Sequence, residues 1–247
     1  MAVAAYIICA TPRSGSTMLC DLLKQTGVAG CPDSFYRSQS LDDFVTAFGI
    51  SPGRGLEFER IYLAAAIQHG TGSTGMFGLR VMWPSMPELQ DQLARLFPTP
   101  ALDRDRLAVA FGTPLYIHLQ RRDGIAQAVS RSKAEQSGLW HRAADGSVRE
   151  LVKRYQAPTY NADQLTRFIA EATAQEAAWN GWFSSQGIVP LDLAYEDLSA
   201  DPVAALARTL TALGRDPAFA AQARVQTARL ADAQSLDWAE RYRRGER

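Results

Sequence analysis

The stretch that most constrains this chain is Ala4–Thr17, which reads AAYIICATPRSGST. A β-branched apolar run, Tyr6-Ile7-Ile8-Cys9, halts at Thr11-Pro12. A short polar loop follows, Arg13-Ser14-Gly15-Ser16, and a helical pattern opens with Thr17-Met18-Leu19-Cys20-Asp21-Leu22-Leu23. The order predicts a strand, a tight loop and a helix N-terminus. A helix N-terminus presents unpaired backbone N–H groups and the positive end of the dipole, so it suits an anion. Gly15 lets the backbone turn closely around that anion. The hydroxyls of Ser14, Ser16 and Thr17 add donors, and Arg13 adds a planar cation.

An ordinary capped junction carries the same small hydroxyl residues, so capping alone does not identify the anion. The strict phosphate-loop signature, G-x-x-x-x-G-K-[ST], is absent. Ser16 stands before Thr17 where that signature has Lys. Chemistry on a magnesium-bound nucleoside triphosphate is disfavoured, because the neutralising Lys is missing.

Charge does not steer the chain toward a polyanion. Lys plus Arg and Asp plus Glu number 26 each among 247 residues, so no net field attracts nucleic acid or an anionic membrane, and any anion site is local. At 47% hydrophobic and 21% charged the composition is that of a soluble protein with a substantial core. Three cysteines, Cys9, Cys20 and Cys31, form no C-x-x-C pair. They read as reduced thiols, and no metal site is expected. No apolar run is long enough to span a bilayer. MAVAAYIICA lacks the basic n-region of a signal peptide. A cytoplasmic protein is expected.

Beyond the first helix, Gly27–Pro32 reads as a short strand, which would carry Cys31–Arg37 to the carboxyl edge of the sheet, where open α/β sheets bind ligands. Helices are predicted over 41–49, 56–68, 86–97, 103–111, 124–137, 162–186 and 202–213. Strands are predicted over 78–83, 115–119 and 188–193. Gly138–Asn161 is mixed. Arg80, inside an apolar strand, is either an edge charge or a ligand contact. Two patterns mislead. Cys31 and Arg37 have the C-x5-R spacing of a cysteine phosphatase, but Pro32, Phe35 and Tyr36 make a poor anion cradle. Gly70–Gly75 matches G-x-G-x-x-G with its helix before and its strand after, so it reads as a Gly-rich loop. Strands alternating with helices predict a single α/β domain over residues 1–247, around a mainly parallel sheet flanked by helices.

Several segments together carry a resemblance. TPRSGSTMLCDLL resembles the phosphosulfate-binding loop of sulfotransferases that use 3′-phosphoadenosine 5′-phosphosulfate, RRDGIAQAVS resembles their 3′-phosphate-binding strand and helix, and AYEDL is similar to a late segment of that superfamily. GVAGCPDSFYR, GLRVMW and DWAERYRR look most like the bacterial carbohydrate (trehalose-type) sulfotransferase family. The resemblance implies a modified P-loop sulfotransferase fold and transfer of a sulfuryl group to a hydroxyl of a carbohydrate or small molecule. It implies that Arg13, Ser14, Gly15, Ser16 and Thr17 hold the 5′-phosphosulfate. Arg121 and Ser130 would hold the 3′-phosphate, with Arg122 competing for the place of Arg121. Arg80 takes the place of a family Lys. A metal-free reaction and a homodimer are also implied.

The family's two Glu positions correspond here to Cys31 and Ser34, so the base is open. Asp33 is the first candidate, with burial expected to raise its pKa. His118, His141 and a water held by Ser34 are the alternatives. A P-loop phosphotransferase and a non-catalytic nucleotide-binding module are the competing functions.

Overall fold

The computed structural model describes residues 5–142, 147–151, 155–226 and 232–247. The elements run β1 (Ala5–Ala10), α1 (Ser16–Gln25), α2 (Leu41–Ala47), α3 (Gly55–Thr71), β2 (Phe77–Met82), α4 (Met86–Leu96), α5 (Asp103–Phe111) and β3 (Pro114–Gln120). Then follow α6 (Gly124–Ser137), β4 (Leu139–Arg142), β5 (Val148–Leu151), α7 (Ala162–Gln186), β6 (Leu191–Ala194), α8 (Tyr195–Ala200), α9 (Pro202–Ala212) and α10 (Ala233–Arg243).

The apolar run at the start becomes an inner strand because both of its faces are hydrophobic. All six residues of β1 are buried. Parallel strands covered on both faces read as continuous apolar runs. The sheet order is β2-β1-β3-β6 and every pairing is parallel. Ala5, Ile7 and Cys9 pack with Leu79, Val81, Tyr116 and Trp179 on one face. Tyr6, Ile8 and Ala10 pack with Leu19, Leu22, Leu23, Ile117 and Leu206 on the other. Each fully buried large side chain in these layers contributes about 1.5–3 kcal/mol relative to exposure. Trp179 Nε1–H also donates to Ala10 O at 3.0 Å, tying α7 to the end of β1.

The chain leaves β1 for β2 on one side and later returns to β3 on the other. Connections diverge at such a point, so a crevice opens at the carboxyl end of β1. That end is the Thr11–Gly15 loop.

Several elements differ from the sequence expectation. Gly27–Pro32 is not a strand. Gly27 and Gly30 take φ of +67° and +72°, and only Asp33 makes a single parallel bridge, to Leu79. A Cβ on Gly30 would lie 2.2 Å from Met76 O, so this close approach needs glycine. The last sheet strand starts at Leu191 rather than Ile188, since Pro190 has no N–H for the ladder. The glycine run at 70–75 is partly helical, with Gly70 buried inside α3. The mixed segment contains an antiparallel hairpin, β4 with β5. Among the described residues, no helix is long and apolar enough to cross a membrane.

Candidate active site

Gly15 is the N-cap of α1, at φ +88°. A Cβ there would come within 2.4 Å of the Tyr195 ring, so the loop and α8 approach at a distance only glycine permits. Arg13 is the one non-glycine residue at positive φ, +68°, among the described residues. Such a conformation costs about 1–2 kcal/mol for an L-residue. Ser14 is fully buried and its Oγ has no hydrogen-bond partner. The first α-helical bond, Leu19 N–H to Gly15 O, leaves earlier N–H groups in the unpaired first turn. A buried orphan hydroxyl beside them completes a group of donors with the chemistry to hold an acceptor-rich ligand.

The Arg13 side chain crosses to the second strand–helix junction. Its Nε donates to Ser130 Oγ at 3.0 Å and its Nη1 to Trp140 O at 2.7 Å. Arg121 lies over the Tyr195 ring, 4.5 Å from its centroid, and its Nη1 donates to Arg13 O at 3.1 Å. Arg122 instead forks onto the Asp197 carboxylate at 2.8 and 2.7 Å on the surface. The Glu196 carboxylate accepts from the backbone N–H groups of Arg122 and Asp123, both at 3.1 Å, which fixes the turn into α6.

Arg80 joins the third part of the site. Its Nε donates to Ser34 Oγ at 2.7 Å and its Nη1 to Thr17 Oγ1 at 2.8 Å, while Nη2 lies 3.5 Å from Asp33 Oδ1. Its side chain is 14% exposed, and it faces α1 from the edge strand. Lys24 adds a second cation, 3.2 Å from Asp33 Oδ2. Burial works to raise the Asp33 pKa, as expected from sequence, but Arg80, Lys24 and the Ser34 N–H outweigh it. The net direction is downward, which corrects the expected rise. A carboxyl held in the ionised form by two cations is a weaker base.

On the other side of β1, Thr11 Oγ1 donates to Glu176 Oε1 at 2.9 Å and accepts from Gln127 Nε2 at 3.0 Å. Gln127 also donates to Pro12 O at 2.7 Å. His118 Nε2 lies 2.9 Å from Glu176 Oε2. At 1% exposure His118 cannot itself meet an acceptor. The side chain of His141 lies outside the described residues.

The structure therefore gathers Arg13, Ser14, Gly15, Ser16, Thr17, Asp33, Ser34, Arg80, Arg121 and Ser130 around the start of α1. Sequence reasoning missed Tyr195, Gln127, Lys24 and Glu176. The AYEDL segment pointed at Tyr195 and RRDGIAQAVS contains Gln127, neither with a role given; Lys24 directly follows TPRSGSTMLCDLL, and Glu176 lies in no motif. Among the described residues no group of three or more His, Cys, Asp or Glu is arranged to hold a metal ion.

A family model described as Stf0 sulphotransferase matches residues 5–245. The chain is 31% identical to a protein named trehalose 2-sulfotransferase from Mycobacterium tuberculosis (strain Erdman), over 98% of this chain and 95% of that one. It is likewise 31% identical to a trehalose 2-sulfotransferase from Mycolicibacterium smegmatis, over 97% and 94%. A solved sulfotransferase domain from the curacin biosynthetic pathway is a distant likeness, 14% identical at a TM-score of 0.47, covering 98% of this chain and 97% of that one.

Proposed function

The chain belongs to the Stf0 sulphotransferase family, and on that premise we propose that it moves the sulfuryl group of 3′-phosphoadenosine 5′-phosphosulfate onto a carbohydrate hydroxyl. The observation that carries this reading is the cradle itself: the buried, unpartnered Ser14 Oγ at the start of α1, beside an Arg13 that reaches Ser130. A helix end suited to one anion, with Arg121 and Ser130 close by to take a second, supports a donor with phosphates at both ends of its ribose.

The residues divide the work. The N–H groups at the start of α1, with Ser14, Ser16 and Thr17, bind the 5′-phosphosulfate. Arg121, flattened on Tyr195, and Ser130 take the 3′-phosphate. Arg13, hydrogen-bonded to Ser130, spans the two ends. Arg80 supplies positive charge on the acceptor side, through its contacts with Thr17 and Ser34. As the acceptor oxygen bonds to sulfur, the sulfur–oxygen bond to the 5′-phosphate breaks and charge builds on the leaving phosphate. Fixed N–H dipoles and Arg13 stabilise that charge without reorganising.

The relatives' names support a carbohydrate acceptor, with trehalose the first to try. Cys31 and Ser34 line the segment where the resemblance places two Glu, so a different sugar is a live outcome of the screen. Three free thiols, one of them exposed, support a reducing compartment, the cytoplasm. The test is transfer from ³⁵S-labelled donor to trehalose, glucose and a glycan panel, read by mass spectrometry. A labelled, mass-shifted sugar is expected. Turnover of ATP with Mg²⁺ and none of the labelled donor would favour a phosphotransferase. Tight donor binding without transfer to any acceptor would favour a nucleotide-binding module.

A further inference from the structure

We propose that Gln127 is a positioning residue that sets the spacing between the two ends of the donor site, and so makes the chain favour a nucleoside 3′,5′-bisphosphate over a monophosphate; this rests on the donor reading above. Gln127 lies on α6 and is buried, 4% exposed. Its Nε2 donates to Pro12 O at 2.7 Å and to Thr11 Oγ1 at 3.0 Å. Chemistry fixes the orientation of this amide. A carbonyl oxygen only accepts, so the group facing Pro12 is the NH₂. Its second hydrogen goes to Thr11, whose hydroxyl then donates to Glu176 Oε1 at 2.9 Å.

The loop leans on groups outside it. Ser14 N–H reaches Thr11 O at a long 3.3 Å, and Arg13 sits at φ +68°. A strained residue keeps such a conformation only where its surroundings impose it. Here α6 and the turn before it grip three successive loop residues. Gln127 holds Thr11 and Pro12, Arg121 Nη1 donates to Arg13 O, and Ser130 Oγ accepts from Arg13 Nε. Gln127 and Ser130 are three residues apart, so they share one face of the helix. The helix is itself anchored. Ala128 and Val129 pack into a buried cluster with Leu165, Phe168 and Trp238. Asp123 caps the first turn, accepting from Ala126 N–H at 2.9 Å.

The consequence is for selectivity. The donor reading gives the 5′-phosphosulfate to the loop and the start of α1, and the 3′-phosphate to Arg121 and Ser130. A ribose carrying both phosphates spans them at a nearly fixed length. Its affinity therefore depends on the loop and α6 being held at a matching separation before it arrives. A 5′-monophosphate uses the loop end alone and does not read that separation. In this role Gln127 contacts neither phosphate, since both amide hydrogens are already engaged by the loop. It acts through the loop it holds.

The test is calorimetry on the full chain with 3′-phosphoadenosine 5′-phosphate and adenosine 5′-phosphate, wild type against Gln127→Met. Met keeps the length and bulk of the side chain and removes both donors. Wild type should favour the bisphosphate by about tenfold or more, and Gln127→Met should shrink that ratio by about fivefold. Affinity for adenosine 5′-phosphate should change by no more than about twofold. In an Arg121→Ala background the same substitution should cost the bisphosphate little more, because the end that Gln127 keeps in register is already lost. A purely structural loss would instead weaken both ligands alike and add to Arg121→Ala. Equal weakening of both ligands, an unchanged ratio, or strict additivity with Arg121→Ala would overturn the proposal. A wild type that discriminates, beside a Gln127→Met that does so equally well, sinks this inference alone. A wild type that binds the two ligands equally sinks the donor reading and this inference with it. Should Gln127→Met not fold, Thr11→Val decides, since it removes one of the two contacts. A ratio equal to that of wild type would then contradict the assignment.

Discussion

Arg13 Nε donates to Ser130 Oγ at 3.0 Å, joining two strand–helix junctions 117 residues apart in sequence. In the proposed function, the contact makes one continuous donor site out of two. It also holds Arg13 in a left-handed conformation, which a free loop residue would leave.

Arg13→Ala should therefore weaken 3′-phosphoadenosine 5′-phosphate by about 10- to 150-fold, the loss of a charge-assisted contact of about 1.5–3 kcal/mol. Arg13→Gly relieves the positive φ while removing the same charge. It should melt no lower than Arg13→Ala and bind the nucleotide just as poorly. Calorimetry and melting curves read both, and unchanged affinity in either variant would remove Arg13 from the site.

Gly15→Ala should cost about 1–3 kcal/mol of stability, from backbone strain plus the collision with Tyr195. Adding Tyr195→Ala should restore the steric part but not the backbone part. A double-mutant cycle reads the coupling. Strict additivity would show that the ring and the loop do not press on each other.

Arg122→Ala should leave nucleotide affinity and melting temperature unchanged within error. The Arg122–Asp197 fork is exposed on the surface, where an ion pair contributes little. If this variant, and not Arg121→Ala, loses the 3′-phosphate, the roles of the two arginines are exchanged.

Asp33 has a depressed pKa in the fold, so its ion pairs add stability above the unfolded carboxyl value of about 3.9. That contribution is lost as pH falls through the lower, folded value. Asp33→Asn should be less stable than wild type at neutral pH, and the gap should close in acid. Its kcat should stay near normal. A gap that widens on acidification would contradict the ion-pair account, and a large kcat loss would return Asp33 to the role of base.

The strand–loop–helix unit was readable because its periodicity changes abruptly at Pro12, and α6 was readable over Gly124–Ser137 with its bounds. What failed depended on tertiary approach. Gly27–Gly30 looks extended in sequence, yet its glycines serve a close pass by Met76. The residues proposed to bind the donor could be picked out because loop chemistry is local. Glu176 could not, because Gln175-Glu176-Ala177 carries no motif and its partner His118 lies 58 residues away. Asp33 was visible, but the sign of its pKa shift was not. That sign depends on Lys24 and Arg80, which only the folded chain brings together.

The most direct measurement of the whole account is a calorimetric comparison of 3′-phosphoadenosine 5′-phosphate with adenosine 5′-phosphate, in wild type and Arg121→Ala. The two ligands differ only in the 3′-phosphate, the group assigned to Arg121 and Ser130. Wild type should bind the bisphosphate about tenfold or more tightly than the monophosphate, and Arg121→Ala should remove most of that gap. Equal affinities in wild type, or a gap that survives Arg121→Ala intact, would contradict a site built for a 3′-phosphorylated sulfuryl donor.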